Sequence, residues 1–371
     1  MKSSKQGDFF ADYKNDESAL IVNDGVQQPP IVNPYLKSRK RQGIKTAEEY
    51  IDGIVSGDRV ALSQAITLVE SQLAAHREVA QKIIHRCQHI SADKKTMRIG
   101  ITGVPGAGKS TFIEAFGSYL TSKGHNLAVL AIDPSSEKTK GSILGDKTRM
   151  ETLCNDPKAF IRPSPNAGSL GGVARKTRET VLLCEAAGFD VVFIETVGVG
   201  QSETAVHSMS DFFLLLMLSG AGDDLQGIKR GIMEMSDLIA ITKADGNNVD
   251  KANMARALYA NALHLFPPTE SGWVPTALTS SAVNNTGLDL ILEKIEEYFA
   301  IVKENGFYEK KRREQARYWM YESINESLKN IFYENPTVEK LLPDYEAAVL
   351  QGKLESFSAA GELIEKYKAT K

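Results

Sequence analysis

Cysteine is scarce in this sequence: Cys87, Cys154 and Cys184 are an odd number of residues that lie far apart. Such usage argues against a disulfide framework and favours a reducing compartment, with the thiols as small buried apolar groups. There is no C-x-x-C pair and the six histidines form no run. The sequence therefore predicts no cysteine–histidine metal site.

Long hydrophobic runs and an excess of basic residues are also missing. The longest apolar run, Phe212–Leu218, is far too short to cross a bilayer. A formal net charge of −3 offers no basic footprint for nucleic acid. No basic flank followed by an apolar segment opens the chain, and its early acidic residues argue against a mitochondrial transit peptide: Asp8, Asp12, Asp16 and Glu17. We therefore expect a cytoplasmic protein without a membrane or nucleic-acid partner.

A glycine-rich turn between an apolar strand and a helix start carries the first functional signal. The stretch RIGITGVPGAGKSTF, residues 98–112, fits the phosphate-loop pattern G-x-x-x-x-G-K-[ST]. In this motif, backbone N–H groups at a helix N-terminus surround an anionic phosphate. The lysine reaches the β- and γ-phosphates and the serine hydroxyl ligates Mg²⁺. The residues predicted to contact the nucleotide here are Gly103, Pro105, Gly106, Ala107, Gly108, Lys109, Ser110 and Thr111.

The hydrophobic pattern divides the 371 residues into four segments. Residues 1–45 are polar and aperiodic, which predicts a flexible arm, whereas 46–95 show helical spacing that begins at a capping box, Thr46–Glu49. Residues 96–304 alternate strands with helices, and 305–371 are helical again, with an aromatic group at 318–321 that suits a dimer contact or a docked patch. The predicted strands are Arg98–Thr102, Leu127–Asp133, Ala159–Ile161, Val191–Glu195, Phe212–Leu218 and Leu238–Lys243.

This alternation predicts the α/β class. Several of the strands are continuous apolar runs, as expected when helices cover both faces of a parallel sheet. We expect a P-loop NTPase domain with a doubly wound, mostly parallel sheet, flanked by N-terminal and C-terminal helical extensions. Ligand chemistry is then expected at the carboxyl ends of the strands.

Two later motifs favour GTP over ATP. Thr242, Lys243 and Asp245 follow an apolar strand, where GTPases keep the base-recognition motif N-K-x-D. The Asp carboxylate accepts the N1 and N2 protons of guanine, which adenine does not offer. Thr242 replaces the usual Asn, so one amide contact is missing or supplied differently. Ser281 and Ala282 lie where GTPases place a backbone donor for guanine O6.

Three acidic residues are candidates for the magnesium and γ-phosphate site. Asp133 and Glu195 each end a predicted strand, and Asp146 lies in a GDKT stretch. Carboxylates in such places hold Mg²⁺ directly or through water, and Gly198 can give its N–H to the γ-phosphate. A turn residue before Pro134 and a surface acid are the alternative interpretations of Asp133 and Asp146. We predict catalytic roles for Lys109, Asp146 and Glu195, and magnesium ligation by Ser110, Asp133, Asp146 and Glu195.

The motifs together resemble the MeaB/ArgK family of P-loop GTPases, to which the MMAA proteins of cobalamin metabolism belong. The matching stretches include GVPGAGKST, AIDPSS, GDKTRM, IRPSPNAGSLGGVARKTRE, ETVGVGQSE and GAGDDLQGIKRGIMEMSDLIAITKAD. The resemblance implies a homodimeric, Mg²⁺-dependent GTPase that binds GTP and GDP. It also implies a chaperone that gates cofactor loading and protects a B12-dependent acyl-CoA mutase of the methylmalonyl-CoA type. Segments 198–203 and 222–230 would be its switches.

Two other functions stay open at this point. A kinase acting on a small molecule or a transport protein would need an acceptor pocket with a base, and the sequence shows no such residue. A nickel-delivery GTPase of related fold would be expected to carry a cysteine–histidine cluster. Because no residue is a convincing general base for water attack, we expect slow intrinsic GTP hydrolysis.

The base-recognition assignment predicts a change of nucleotide preference. The variant Asp245→Asn should bind xanthine nucleotides better than guanine nucleotides, because the amide offers a donor where guanine requires an acceptor. Competitive displacement of labelled GDP by XDP and GDP measures this preference. Unchanged preference for GDP would show that Thr242 belongs to a base pocket of a different design.

Overall fold

The computed structural model describes residues 45–71, 73–92, 94–132, 150–163, 170–196, 202–220 and 230–370. Residues Thr46–Lys371 form one compact unit. Across the described parts of the chain, no helix is both long enough and apolar enough to cross a bilayer.

A single sheet organises the described residues. Its seven strands are all parallel and lie in the order β3-β2-β4-β1-β5-β6-β7. The strands are β1 Met97–Gly103, β2 Leu127–Ile132, β3 Ala159–Arg162, β4 Val191–Thr196, β5 Phe212–Leu218, β6 Leu238–Thr242 and β7 Thr276–Thr279. The predicted α/β class and parallel sheet are confirmed. The short edge strand β7 was missed by the sequence prediction, because its four residues include only one buried side chain, Ala277.

Thirteen α-helices are described. In chain order they are α1 Ala47–Val55, α2 Arg59–Glu70, α3 Ala74–Ala92, α4 Lys109–Ser122, α5 Glu151–Asn155, α6 Leu170–Ala186, α7 Ser202–His207, α8 Arg230–Glu234, α9 Val249–Leu263, α10 Leu288–Glu304, α11 Phe307–Tyr333, α12 Pro336–Leu350 and α13 Ser356–Lys368. The predicted capping box of α1 is confirmed, since the Glu49 N–H donates to the Thr46 hydroxyl at 3.2 Å while the Thr46 N–H donates to the Glu49 carboxylate.

Alternating side chains of the strands build the core on both faces of the sheet. Along β2, Leu127 and Val129 pack in the core shared with α4 and α10, whereas Ala128 and Leu130 belong to the opposite core with α6. Helices α2 and α3 pack on α6 and extend that second core outward. The N-terminal helices therefore form a third layer over the sheet.

Three aspartates fix the register at the amino ends of the strands. Asp190, Asp211 and Asp237 each stand one residue before a strand. Their carboxylates accept the N–H of Asn126, Arg98 and Phe213, at 2.7, 3.1 and 2.8 Å. The N–H of each aspartate donates back to the carbonyl of the same residue. Each pair of strands thus begins with a reciprocal bond that a one-residue slip would break.

A buried ion network joins helix α11 to the base of the sheet. The Glu185 carboxylate, at the end of α6, accepts from Arg98 Nε at 2.7 Å, and Arg312 of α11 donates to Asp211 at 2.6 Å. Arg312 also donates to Thr96 Oγ1 at 3.1 Å. Within the predicted aromatic group, Trp319 is buried on this surface and donates to a backbone carbonyl, whereas Tyr318 and Tyr321 are exposed.

This network predicts a loss of stability when one charge is removed. The variant Glu185→Gln should lower the free energy of unfolding by about 3–5 kcal/mol, because the buried Arg98 guanidinium loses its counter-charge. Urea denaturation measures the difference. The matched control is Glu78→Gln, which breaks an exposed i,i+4 pair with Lys82 and should change little. Equal stability of the two variants would contradict the assigned role of the network.

The same carboxyls make stability depend on acid. Burial alone would raise the pKa of Glu185 and Asp211, but the Arg98 and Arg312 guanidinium groups outweigh it and hold both below their ordinary values of 4.5 and 3.8. Their contribution is therefore fully present above about pH 4.5 and falls as the pH drops through the lowered pKa values. Glu185→Gln should remove part of this acid sensitivity.

Candidate nucleotide site

The phosphate loop lies between the carboxyl end of β1 and the first turn of α4. Gly106 and Gly108 adopt φ angles of 77° and 78°, in the left-handed region that favours glycine. A Cβ on Gly103 would come within 2.5 Å of the Leu216 carbonyl oxygen, so close packing against β5 requires glycine there. Because β4 and β5 are the two neighbours of β1, their carboxyl ends lie on either side of this loop.

Lys109 lies folded over the loop. Its Nζ donates to the Gly103 carbonyl at 3.1 Å. Burial lowers the pKa of Lys109, and the carboxylates of Glu195 and Glu203 act in the opposite direction. The structure thus brings together Lys109 and Glu195, two predicted catalytic residues. Glu203 was not among the predicted site residues, and its proximity to Lys109 depends on the packing of α7.

The first turn of α4 fits a phosphate and a hard cation. The N–H groups of Lys109, Ser110 and Thr111 open the helix and have no acceptor within it. Gly108 precedes them as an N-cap without a side chain, so no side chain occupies their place. Ser110 is half-buried in this turn, and its hydroxyl is an oxygen donor of the kind that Mg²⁺ prefers. Pro105 and Thr111 are exposed and Ala107 is buried.

Thr242 connects the base-recognition loop to the phosphate loop. Its hydroxyl donates to the Ala107 carbonyl at 2.7 Å and lies 3.1 Å from the Met217 carbonyl. Residue 242 is buried at the carboxyl end of β6. At the position where the N-K-x-D motif has an Asn amide, a threonine hydroxyl therefore contacts the backbone of the phosphate loop.

The remaining base-recognition residues lie in two adjoining loops. Ser281 donates its hydroxyl to Asp245 Oδ2 at 2.6 Å, and among the described residues no group donates to Oδ1. Ala282 follows in a loop that is closed by reciprocal backbone bonds between Ser281 and Thr286. A carboxylate oriented by Ser281 through Oδ2 still has lone pairs on both oxygens, which suits the N1 and N2 donors of guanine.

Asn248 supports this loop and was not recognised in the sequence. Its Nδ2 donates to the Lys243 carbonyl at 2.7 Å, and its Oδ1 accepts from the Ser219 hydroxyl at 2.6 Å. Lys243 adopts a φ of 57°, which costs energy for a residue other than glycine. The hydrogen bond from Asn248 stabilises this turn. The Lys243 side chain lies near Gly108, because a Cβ added to Gly108 would be 3.7 Å from Lys243 Cε. An Asn three residues after Asp245 is a weak sequence signal by itself.

Three predicted site residues lie outside the described residues: Asp133, Asp146 and Gly198. The same holds for residues 197–201 and 221–229, most of the two predicted switch segments. The roles assigned to these residues stay predictions.

A phosphate loop next to an oriented Asp–Ser pair, on an all-parallel sheet, defines a P-loop protein of the GTPase class. The family described as "Methylmalonyl Co-A mutase-associated GTPase MeaB" matches residues 62–337. The chain therefore belongs to the MeaB family of GTPases, as its motifs suggested.

Individual relatives agree with this assignment. The chain is 43% identical to "GTPase ArgK" of Escherichia coli over 86% of its own length and 96% of that protein. It is 42% identical to the "Methylmalonic aciduria type A homolog, mitochondrial" of Mus musculus, over 94% of this chain and 87% of that protein. A crystal structure described as an "LAO/AO transport system kinase" matches with a TM-score of 0.67 and 36% identity, covering 87% of this chain and 97% of that one.

The Thr242 contact predicts a specific effect on nucleotide affinity. Thr242→Val keeps the shape of the side chain but leaves the Ala107 carbonyl without its donor, at a cost of about 1–3 kcal/mol. Because the phosphate loop loses its link to the base loop, we expect this free energy to appear as a fall in GDP affinity of roughly 5- to 150-fold. Fluorescent-nucleotide titration at a temperature where both proteins are folded measures the change.

The matched control is Thr242→Ser, which retains the hydroxyl. It should bind GDP with nearly the parent affinity. If Thr242→Val also binds GDP as tightly as the parent, the hydroxyl does not position the phosphate loop.

Proposed function

We propose that this protein is a GTP-hydrolysing chaperone that gates cobalamin loading into a B12-dependent acyl-CoA mutase of the methylmalonyl-CoA type and protects that mutase. The observation that carries the proposal is the match of residues 62–337 to this family, in a chain whose phosphate loop is joined to the loop after β6 by the Thr242–Ala107 hydrogen bond. The family description names a methylmalonyl-CoA mutase as its associate, and a mouse relative is named for methylmalonic aciduria.

The chemistry we propose is attack of water on the γ-phosphate. When bound, Mg²⁺ supplies charge neutralisation on the β- and γ-phosphate oxygens. Lys109 leaves the Gly103 carbonyl and donates to these oxygens, while the N–H groups of the first turn of α4 bind the β-phosphate. Ser110, Asp133, Asp146 and Glu195 would hold the cation, with Gly198 donating to the γ-phosphate.

We expect slow intrinsic turnover of GTP. Among the described residues, the acidic groups close to Lys109 are Glu195 and Glu203, both of which interact with its charge. We assign neither carboxylate the role of general base for the attacking water. We infer that hydrolysis accelerates only when the partner orders the water-positioning groups.

The sheet order favours partner control through the predicted switches. Segment 198–203 follows β4 and segment 222–230 follows β5, and these strands flank β1 with its phosphate loop. In chain order, each segment follows a strand that is paired with the strand leading into the phosphate loop. Nucleotide state can act on them directly, which is how GTPase switches communicate with partners.

A homodimer formed through the C-terminal helices is part of the proposal. An open apolar groove of about 870 Å³ lies between helices α11, α12 and α13. Its lining includes Leu328, Phe332, Val349 and Leu363. Leu350 and Phe357 nearby are 87% and 85% exposed. Apolar surface of this extent favours burial against a second copy. The boundaries of the arm, residues 305–371, stay a prediction.

One observation favours a second candidate function. The crystal structure that matches this chain with a TM-score of 0.67 is described as a transport system kinase. In that case the γ-phosphate would pass to an acceptor hydroxyl or carboxylate instead of water.

One assay separates these functions. A purified B12-dependent methylmalonyl-CoA mutase should raise the rate of free phosphate release from GTP by this protein several-fold. In Lys109→Ala, phosphate release should disappear with or without the mutase. The reason is that the transferred γ-phosphate loses the positively charged Lys109 ammonium group. The matched control Lys123→Ala, at the residue that caps the carboxyl end of the same helix, should retain phosphate release.

Two outcomes would overturn parts of the proposal. A mutase that neither binds the protein nor changes its turnover removes the chaperone function. Label from γ-³²P-GTP recovered on an acceptor, with no free phosphate released, would support the kinase instead.

A further inference from the structure

Two histidines lie side by side on helix α3. His85 and His89 are one helical turn apart, and their Nε2 atoms are 3.3 Å from each other. Both residues are exposed, on the side of α3 opposite the buried Ile83 and Cys87. This H-x-x-x-H spacing was not singled out from the sequence, because the six histidines form no run.

The separation of the two nitrogens matches a shared metal ion. Zinc binds imidazole nitrogen at ~2.0–2.1 Å. Two nitrogens 3.3 Å apart that both take this distance subtend an angle of about 104–111° at the metal. This range includes the tetrahedral angle, so the separation of the two nitrogens is compatible with one shared ion.

The side chains around the pair leave it accessible to a cation. Lys82, one turn before His85, has its charge engaged by Glu78 at 2.8 Å. The rings of His85 and His89 are held edge to face with centroids 4.6 Å apart. Among the described residues no group of three or more metal-binding side chains occurs, so the two imidazoles would act alone, with water in the other positions.

We propose that His85 and His89 form a chelating site for a divalent transition-metal ion such as Cu²⁺, Ni²⁺ or Zn²⁺. Imidazole nitrogen suits these ions, whereas Mg²⁺ prefers oxygen, so the site does not compete for the nucleotide's cation. Among the described residues of the nucleotide site, none comes from helix α3. The bound ion closes one turn of α3, and this helix packs on α6 in the outer layer.

The test uses the full chain without an affinity tag and without nucleotide. Isothermal titration with Zn²⁺ in the presence of excess Mg²⁺ should show one ion per chain that depends on these histidines. His85→Ala and His89→Ala should each lower the Zn²⁺ affinity at least tenfold, because a chelate becomes a single ligand. His264→Ala is the matched control, since His264 is an exposed imidazole at the end of α9, and it should bind like the parent.

Cu²⁺ supplies a second measurement that does not depend on affinity. Electron paramagnetic resonance of the parent with one equivalent of Cu²⁺ should show coupling to two imidazole nitrogens, and His85→Ala should show one. Circular dichroism checks that the variants remain helical. Zn²⁺ binding that is equal in the parent and in both single variants overturns the site, as does a Cu²⁺ signal unchanged by His85→Ala. GTP hydrolysis is not used, so failure here leaves the proposed function untouched.

Discussion

The buried ion network at the amino end of the sheet is the constraint on which the rest of the structure depends. Glu185, Arg98, Arg312 and Asp211 come from α6, β1, α11 and the turn before β5. Leaving any one of these charges unpaired in the interior would cost several kcal/mol. The network therefore links three elements: helix α6, strand β1 that leads into the phosphate loop, and helix α11.

The nucleotide site is built at the opposite end of the same strands. Reciprocal bonds from Asp190, Asp211 and Asp237 fix where β4, β5 and β6 begin, and parallel pairing carries that register to their carboxyl ends. The position of Glu195 beside Lys109, and of Thr242 against Ala107, follows from this register. A shift of one residue would turn each of these side chains to the other face of the sheet.

Much of this could be predicted from local pattern. Gly103, Gly108 and Lys109 predict a phosphate loop because their spacing has a direct geometric meaning, and the hydrophobic pattern predicted six of the seven described strands. The edge strand β7 was not predicted, since four residues with one buried side chain carry no clear periodicity. Asn248 and Glu203 were not predicted as site residues either, because their contacts join segments that are distant in sequence or depend on how a helix packs.

The sequence by itself determined the fold class and the phosphate loop, and it predicted that Asp245 recognises guanine, because each of these inferences depends on residues close together in the chain. Only the tertiary structure decided that a threonine hydroxyl takes the place of the Asn amide, since Thr242 and Ala107 are 135 residues apart. It likewise decided that Arg312 belongs to the base of the sheet and that Trp319 is buried while Tyr318 is exposed. Local pattern specifies which groups are present, whereas long-range packing specifies which of them meet.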